Sequence, residues 1–331
     1  MTATTKPAPT LVTQLINGLL AIRPLANLAK QKARNMMIER AESIGVNWRQ
    51  AAKALKSRGK EAELASEWAI ELAQLTNPQL TYPDYYLQPF HAYEQGNLSW
   101  DAATEVEVAA HAVHARIWPD AGVKGDAMLR QSYHDALQTH IPTAPRDIVD
   151  LGCGVGMSTF TLQALYPQAQ LTGVDLSPYF LAVAQYQAQQ RREKLERRLE
   201  ATSPKLKTPP ATIEWVHAMA ESTGLPAASY DLVSVCLVYH ELPQTAAIAI
   251  LKEARRLLRS GGHLAIMDMN PKSEVFATMP PYVLTLLKST EPYLDEYFAL
   301  DLEQAIAAAG FAQSSITCNS PRHRTLVAAV Q

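Results

Sequence analysis

Asp150, Gly152, Gly154 and Gly156 fall within one short stretch, Ile148 to Gly156, which reads Ile-Val-Asp-Leu-Gly-Cys-Gly-Val-Gly. An apolar run that stops at a carboxylate and breaks into alternating glycines is the pattern of a buried strand ending in a tight loop. Glycine lets that loop come close to a ligand, because it removes the Cβ that would stand between. Asp150, at the strand exit, could hold a cationic amino group. A second run, Leu171 to Asp175, also ends in a carboxylate, 19 residues beyond Gly156, where an acid that takes a ribose diol belongs. Glycine spacing alone is a weak signal, since dinucleotide-binding loops use a related one. The two carboxylates sharpen it.

Those strand ends need a sheet behind them. Met157 to Tyr166 carries a helical pattern. Ser177-Pro178 opens a helix through Ala188 into the mixed-sign run Arg191 to Glu200, a solvated extension that Ser203, Pro204, Pro209 and Pro210 return to the sheet. Thr212 to His217 reads as a third strand, and Tyr230 to Tyr239 as a fourth that ends in His240-Glu241-Leu242-Pro243. Gln244 to Arg259 is an amphipathic helix closed by Gly261-Gly262, and His263 to Met269 is a fifth strand exiting at Asp268 and Asn270. Pro271 to Phe298 is longer than a connector and holds Pro280-Pro281, Tyr282, Tyr293, Tyr297, Glu291, Asp295 and Glu296. A helix, Leu300 to Ala309, then precedes two last strands, Phe311 to Cys318 and Thr325 to Val330. Alternating strands and helices predict an α/β fold.

From about residue 145 to the end, this order and the motif Asp150-Leu-Gly-Cys-Gly-Val-Gly resemble the class I S-adenosylmethionine-dependent methyltransferases, in particular their small-molecule (type 11/25-like) group. The resemblance implies a Rossmann-like, seven-stranded, mostly parallel sheet with an antiparallel last strand, preceded here by a mainly helical amino-terminal region. It implies S-adenosyl-L-methionine as cofactor, S-adenosyl-L-homocysteine as product, and no metal. Gly152, Cys153, Gly154 and Gly156, with Asp150, would hold the methionine part, and Asp175 and Leu176 the ribose. The family commonly has Gly-Asp-Ala-Glu after the third strand, its aspartate bonding adenine, where this chain has Ala218-Met219-Ala220-Glu221. Methionine accepts hydrogen bonds only weakly, so the polar role passes to Glu221 or to the backbone of Met219 and Ala220. A methyl on a sulfonium is already activated, so one general base suffices for transfer to an oxygen, carbon or nitrogen. His240, at the fourth strand's exit and with an ordinary pKa near neutrality, leads, ahead of Glu241, Tyr239 and Asp268. His240 could equally only shape the pocket, as positioning alone often suffices.

The first 142 residues read as helical, apart from the aromatic stretch at about residues 78–100. There Tyr82, Tyr85, Tyr86, Phe90 and Tyr93 crowd together with His91 between prolines, before Trp100. Rings left in water are unfavourable, so they either fill a seam between the two halves or cover the cofactor pocket as a lid. The lid reading places Tyr86, Phe90, His91, Tyr93 and Trp100 against the ligands, with Asn270 at the fifth strand's exit and Tyr282 and Tyr293 of the segment at about 271–298 on the acceptor side. His111 and His114, three apart on a helix running to about Trp118, fit hydrogen bonding better than a metal site. Glu61 to Leu75 and Gly125 to His140 are further helices. Residues 1–38 are basic and free of acids, with an apolar run Leu11 to Leu28 broken by Asn17, Arg23 and Pro24. That is no transmembrane span. It reads as helices packed on the catalytic domain or, less favoured, as peripheral contact with an anionic membrane.

With 331 residues, 47% of them hydrophobic, the chain can bury a large core, and a formal charge of −2 leaves no electrostatic footprint for nucleic acid. Cys153, Cys236 and Cys318 are too scattered for a disulfide framework and fit a reducing, cytoplasmic setting, with an organelle stroma or a membrane surface left open. The partner is a small-molecule methyl acceptor, apolar or isoprenoid-like on the strength of the aromatics and the amino terminus. Nothing in the sequence sets the oligomeric state. Rival readings are a non-catalytic protein that keeps the cofactor as a structural ligand, and a nicotinamide-dependent oxidoreductase. Gly154→Val and Asp175→Ala should each weaken S-adenosylmethionine binding without unfolding the chain; calorimetry showing both variants binding like the parent would put the site elsewhere.

Overall fold

The computed structural model describes residues 23–91, 93–202 and 211–331. Its centre is a sheet of β1 (Asp147–Leu151), β2 (Gln170–Asp175), β3 (Glu214–His217), β4 (Tyr230–Cys236), β5 (Leu258–Met269), β6 (Ser315–Ser320) and β7 (His323–Ala329), in the order β3-β2-β1-β4-β5-β7-β6. β1 to β5 run parallel, while β7 pairs antiparallel with β5 and with β6. The strand order reverses between β1 and β4. Loops on either side of that reversal diverge at the carboxyl edge and leave a crevice, the place where open α/β sheets bind ligands.

Among the described residues, five α-helices precede the sheet: α1 (Arg23–Ser43), α2 (Trp48–Ser57), α3 (Glu67–Leu75), α4 (Trp100–His114) and α5 (Gly125–His140). Within and after it come α6 (Met157–Leu165), α7 (Pro178–Thr202), α8 (Gln244–Leu257), α9 (Glu274–Ala277), α10 (Pro281–Thr290), α11 (Leu294–Ala299) and α12 (Leu302–Ala308). The period of two along the strands divides the core. Val149, Val233 and Leu264 face α8, α11 and α12, whereas their neighbours Ile148, Leu232 and Ala265 face Leu129, Tyr133 and Leu137 of α5 and Leu162 of α6. α5, on the amino-terminal side of residue 142, therefore belongs to the sheet's own core. Trp68 of α3, wholly buried, sits among Ala102 and Ala103 of α4 and Ala182 and Val183 of α7.

Several boundaries differ from the sequence reading. The helix expected from Glu61 begins at Glu67, because the chain is still turning after Arg58 and Gly59, both at positive φ. The helix expected to reach Trp118 stops at His114. β4 ends at Cys236 rather than Tyr239, since Leu237 takes a φ of 61° and Tyr239–Glu241 form a 3-10 turn. β5 starts at Leu258, running through Gly261-Gly262 with a shift of register against β4 rather than starting after them. Residues 1–22 and the prolines at 204, 209 and 210 lie outside the described residues, and so does most of the basic stretch expected to pack or touch a membrane. No described helix is long and apolar enough to cross a membrane.

The joint between α4 and α5 is the tightest in the helical half: a Cβ on Gly125 would stand 2.1 Å from the carbonyl oxygen of His114. Gly125→Ala should therefore cost about 1–3 kcal/mol of stability, as overpacking does, even though alanine favours a helix. Urea unfolding with an undiminished midpoint would show that the two helices separate without cost.

Candidate active site

The backbone after β1 is held in left-handed turns by its glycines, with φ of 70° at Gly152, 55° at Gly154 and 86° at Gly156. A Cβ on Gly152 would lie 2.6 Å from Val238, and one on Gly156 2.8 Å from the Phe160 ring. At Gly154 nothing but Phe180 comes within 4.0 Å, so this glycine faces open space. The loop is tied to β2 by Asp175, whose carboxylate accepts the N–H of Gly154 and the N–H of Ser177, each at 2.8 Å. Burial pushes the Asp175 carboxyl up to about 6 although these N–H groups oppose the shift. Each oxygen keeps a further lone pair, as a diol would need.

Asp150, below the loop, accepts hydroxyl bonds from Ser158 and Thr159 on Oδ2 at 2.6 and 2.7 Å, while its buried Oδ1 has no partner. Burial raises its pKa. Glu221 accepts the Tyr85 hydroxyl at 2.6 Å on Oε1, and its buried Oε2 likewise has no partner. Unpaired buried carboxylate oxygens are costly. Glu221, which lines the cavity with Asp175 and the glycine loop, suits a ligand that brings a vicinal diol and an amino group on a ring, whereas Asp150 is buried behind the loop and does not line the cavity. S-adenosylmethionine has both groups, so the residues present fit it. Of the groups expected to take the polar role in place of Met219, Glu221 and Ala220 line the cavity.

A cavity of about 720 Å³ opens in front of the loop. Of the residues singled out from the sequence, Gly152, Cys153, Gly154, Asp175, Leu176, Ala220, Glu221, Tyr86, Phe90, His91, Tyr93, His240 and Glu241 line it. The others do not. Trp100 packs between Trp68 and Tyr179, with ring centres 5.2 and 4.9 Å away, as core rather than cover. Tyr282 is more than half exposed, Tyr293 meets Tyr85 edge-on, and Asn270 caps a turn by accepting the N–H of Lys272. Asp150, Gly156, Met219 and Asp268 do not line it either, and Tyr239 is wholly buried with its hydroxyl unpartnered. Trp100 and Tyr282 miss the cavity because the phase of their helices turns them away from it, and the Asn270 side chain is taken up by the turn after β5.

The aromatic stretch is pinned across β2 and β3. His217 accepts the Asn77 N–H on Nδ1 at 2.8 Å and donates from Nε2 to the Leu176 carbonyl at 3.0 Å, with the Tyr82 hydroxyl 3.2 Å away. Burial lowers its pKa, in keeping with this neutral tautomer. Farther along, Tyr93 donates to Glu105 at 2.7 Å, and Glu105 also pairs with Arg34 of α1. On α4 the two histidines converge on a carboxylate of α5: His114 Nδ1 lies 2.7 Å from Asp126, which also takes Arg130 at 2.9 Å, and His111 lies 3.7 Å off.

At the far end of the cavity the turn after β4 meets the exit of β5. His240 donates from Nδ1 to Asp268 at 2.7 Å, and its Nε2 lies 3.9 Å from Glu241. His91 stands 3.8 Å from the same Glu241 oxygen and 2.9 Å from Glu291 of the segment after β5. Burial acts to lower the His240 pKa, but Asp268, with the other acids, carries it up to about 10. Burial raises Glu241 to about 7, against the pull of His91 and His240. Glu291 was noted only as one of several acids, since nothing in sequence spacing links residues 91, 241 and 291. Arg116, Arg130 and Arg322, also at the cavity, went unremarked for the same reason.

Residues 149–266 match the model of a family described as a methyltransferase domain. The chain is 29% identical over 198 residues to a malonyl-[acyl-carrier protein] O-methyltransferase of Laribacter hongkongensis, covering 56% of this chain and 58% of that protein. It is 31% identical over 156 residues to a ubiquinone biosynthesis O-methyltransferase of Albidiferax ferrireducens, covering 46% and 54%. To a trans-aconitate 2-methyltransferase of an Azoarcus species it is 35% identical over 119 residues, covering 36% and 37%. The chain thus spans little more than half the length of these relatives, or less. With the strand order β3-β2-β1-β4-β5-β7-β6, an antiparallel β7 and the glycine loop after β1, the chain carries a domain of the class I S-adenosylmethionine-dependent methyltransferases.

Proposed function

We propose that this protein transfers a methyl group from S-adenosylmethionine to an oxygen of a small organic acceptor held in the cavity beside His240 and Glu241. The observation that carries this reading is the pair of acceptors beside the glycine loop at the cavity, Asp175 and Glu221 with its Oε2 unpartnered, in a domain that matches methyltransferases. Two of the relatives are O-methyltransferases, which favours oxygen as the atom. When bound, S-adenosylmethionine supplies a methyl group already activated by positive sulfur. Met269, Phe276, Met279, Val283 and Leu287 give the acceptor an apolar wall.

The proton of an acceptor hydroxyl needs a destination. His240, with its pKa raised to about 10, already carries a proton at neutral pH, so it serves better as a donor that steadies the acceptor oxygen. Glu241, at about 7, lies beside it and is the group able to take the proton. The base role expected of His240 from an ordinary imidazole thus moves one residue along. Tyr86, Phe90 and Tyr93 cover the cavity and would exclude water from the reacting atoms.

Incubation with methyl-labelled S-adenosylmethionine and fractionated extract should yield one labelled product; release of label into no product with any fraction would favour a non-catalytic binder. With that acceptor, Glu241→Gln should lower turnover by about 10² or more while leaving cofactor affinity alone. The rate should climb as pH passes about 7, where Glu241 ionises, and decline near 10 as His240 loses its proton. A parent rate flat from pH 5 to 8 would remove Glu241 as the base.

Hydrogen exchange tests the cover. S-adenosylhomocysteine should slow exchange between Tyr82 and Trp100 as well as in the glycine loop, and protection confined to the loop and Asp175 would leave the aromatics as interdomain core.

A further inference from the structure

Most arginines of the helical half are paired with acids. Arg34 meets Glu105, Arg58 meets Glu71 and Arg130 meets Asp126. Arg322 and Arg116 differ: both line the cavity, yet among the described residues neither has a carboxylate within ion-pair distance. Arg322 sits in the turn between β6 and β7. Its carbonyl accepts the N–H of Asn270 at 2.8 Å, and one guanidinium nitrogen donates to the Val113 carbonyl of α4 at 2.9 Å. Its Nε is buried without a partner. Burial and the neighbouring positive Arg116 both lower its pKa, and burial and Arg40 lower that of Arg116. Positive charge is therefore concentrated at this wall, and among the described residues no ion pair offsets it. His323, next in the chain, adds none: it bonds Ser320 at 2.8 Å, and burial holds its pKa well down.

The place matters as much as the charge. β7 begins at His323, in register with Met269, and Arg324 pairs with Asp268, the residue that holds His240. Arg322 thus stands one strand over from the proton-transfer cluster, on the side of the helical half. A molecule lying in the cavity with one atom beside His240 and Glu241 would extend towards Arg322 and Arg116. A guanidinium offers paired N–H donors that match the oxygens of a carboxylate or phosphate, and burying it with no anion is costly.

We propose that Arg322 and Arg116 form an oxyanion subsite that receives a carboxylate or phosphate monoester on the acceptor, remote from the atom that is methylated. This rests on the methyltransferase reading for the word acceptor, not for the binding itself. The acceptor is then an amphipathic acid, its apolar body against Phe276, Met279 and Val283 and its anionic end at the arginines.

Citrate and glycerol 3-phosphate, titrated by calorimetry at low salt with and without S-adenosylhomocysteine, separate a carboxylate acceptor from a phosphate monoester. At least one should bind, and the Arg116→Met, Arg322→Met double variant should bind it about tenfold or more weakly, the loss expected for charge-assisted hydrogen bonds. Affinity for S-adenosylhomocysteine should stay at the parent value, which also reports that the variant is folded. Arg116→Met alone, at an exposed position, should weaken the anion with no threat to folding, and Arg322→Lys should recover part of the loss. If neither anion binds the parent, or the double variant binds as tightly as the parent, the subsite is ruled out. A parent that binds anions but not S-adenosylhomocysteine would instead overturn the methyltransferase reading and leave the subsite standing.

Discussion

The carboxylate of Asp175 joins the two loops on which the carboxyl edge of the sheet depends. It accepts N–H groups from Gly154, after β1, and from Ser177, after β2. The bond is made at a cost. An aspartate whose pKa rises on folding binds protons more readily in the native state, so ionising it at neutral pH works against stability. Asp126 is the contrast, because His114 and Arg130 hold its pKa down despite burial and its ionised form therefore favours the fold. A raised acid at a strand exit, facing a cavity, is the kind of group that functional sites hold.

The same tension governs the other end of the cavity. His91, His240, Glu241, Asp268 and Glu291 bring two imidazoles and three carboxyls together. Asp268 is fully buried, and its bond to His240 lets the imidazole keep its proton. Glu241, between His91 and His240, is then the acid with a protonation state that changes near neutrality. Histidine and glutamate exchange the roles their free pKa values would assign, because the partner behind the histidine outweighs burial. Such a division of labour follows from environment, as when pairs of titratable groups are pushed apart.

The helical half supplies the remaining walls. Trp68 anchors it, with the Arg58 guanidinium 3.6 Å above its ring and Tyr186 of α7 on another side. α4 contributes Val106, Ala110 and Val113 to the cavity and α5 contributes Arg130, so helices that cover the sheet also face the ligand. Removing this half would expose the core against α5 as well as open the site.

Reading the chain alone predicted the sheet and the glycine loop at its carboxyl edge. Ile148 to Gly156 and Leu171 to Asp175 are local signals, in which strand period, glycine and terminal acid lie within a few residues, and each element formed where its pattern stood. The turn at Leu237 and the start of α3 were not legible, since positive φ at non-glycine residues is imposed by packing. Glu221 was favoured over Met219 on hydrogen-bonding chemistry alone, and it carries the unpartnered oxygen. Trp100 and Tyr282 show the limit: residue type marked them as ligand-facing, but helix phase turned one into the core and the other to solvent. Only the tertiary structure could bring His91 to Glu291, His240 to Asp268 and Arg116 to Arg322, because their sequence separations carry no period. Nor could the sequence assign the proton at His240 or Glu241, for a pKa belongs to the charges and solvent that folding gathers round a group, and not to the residue by itself.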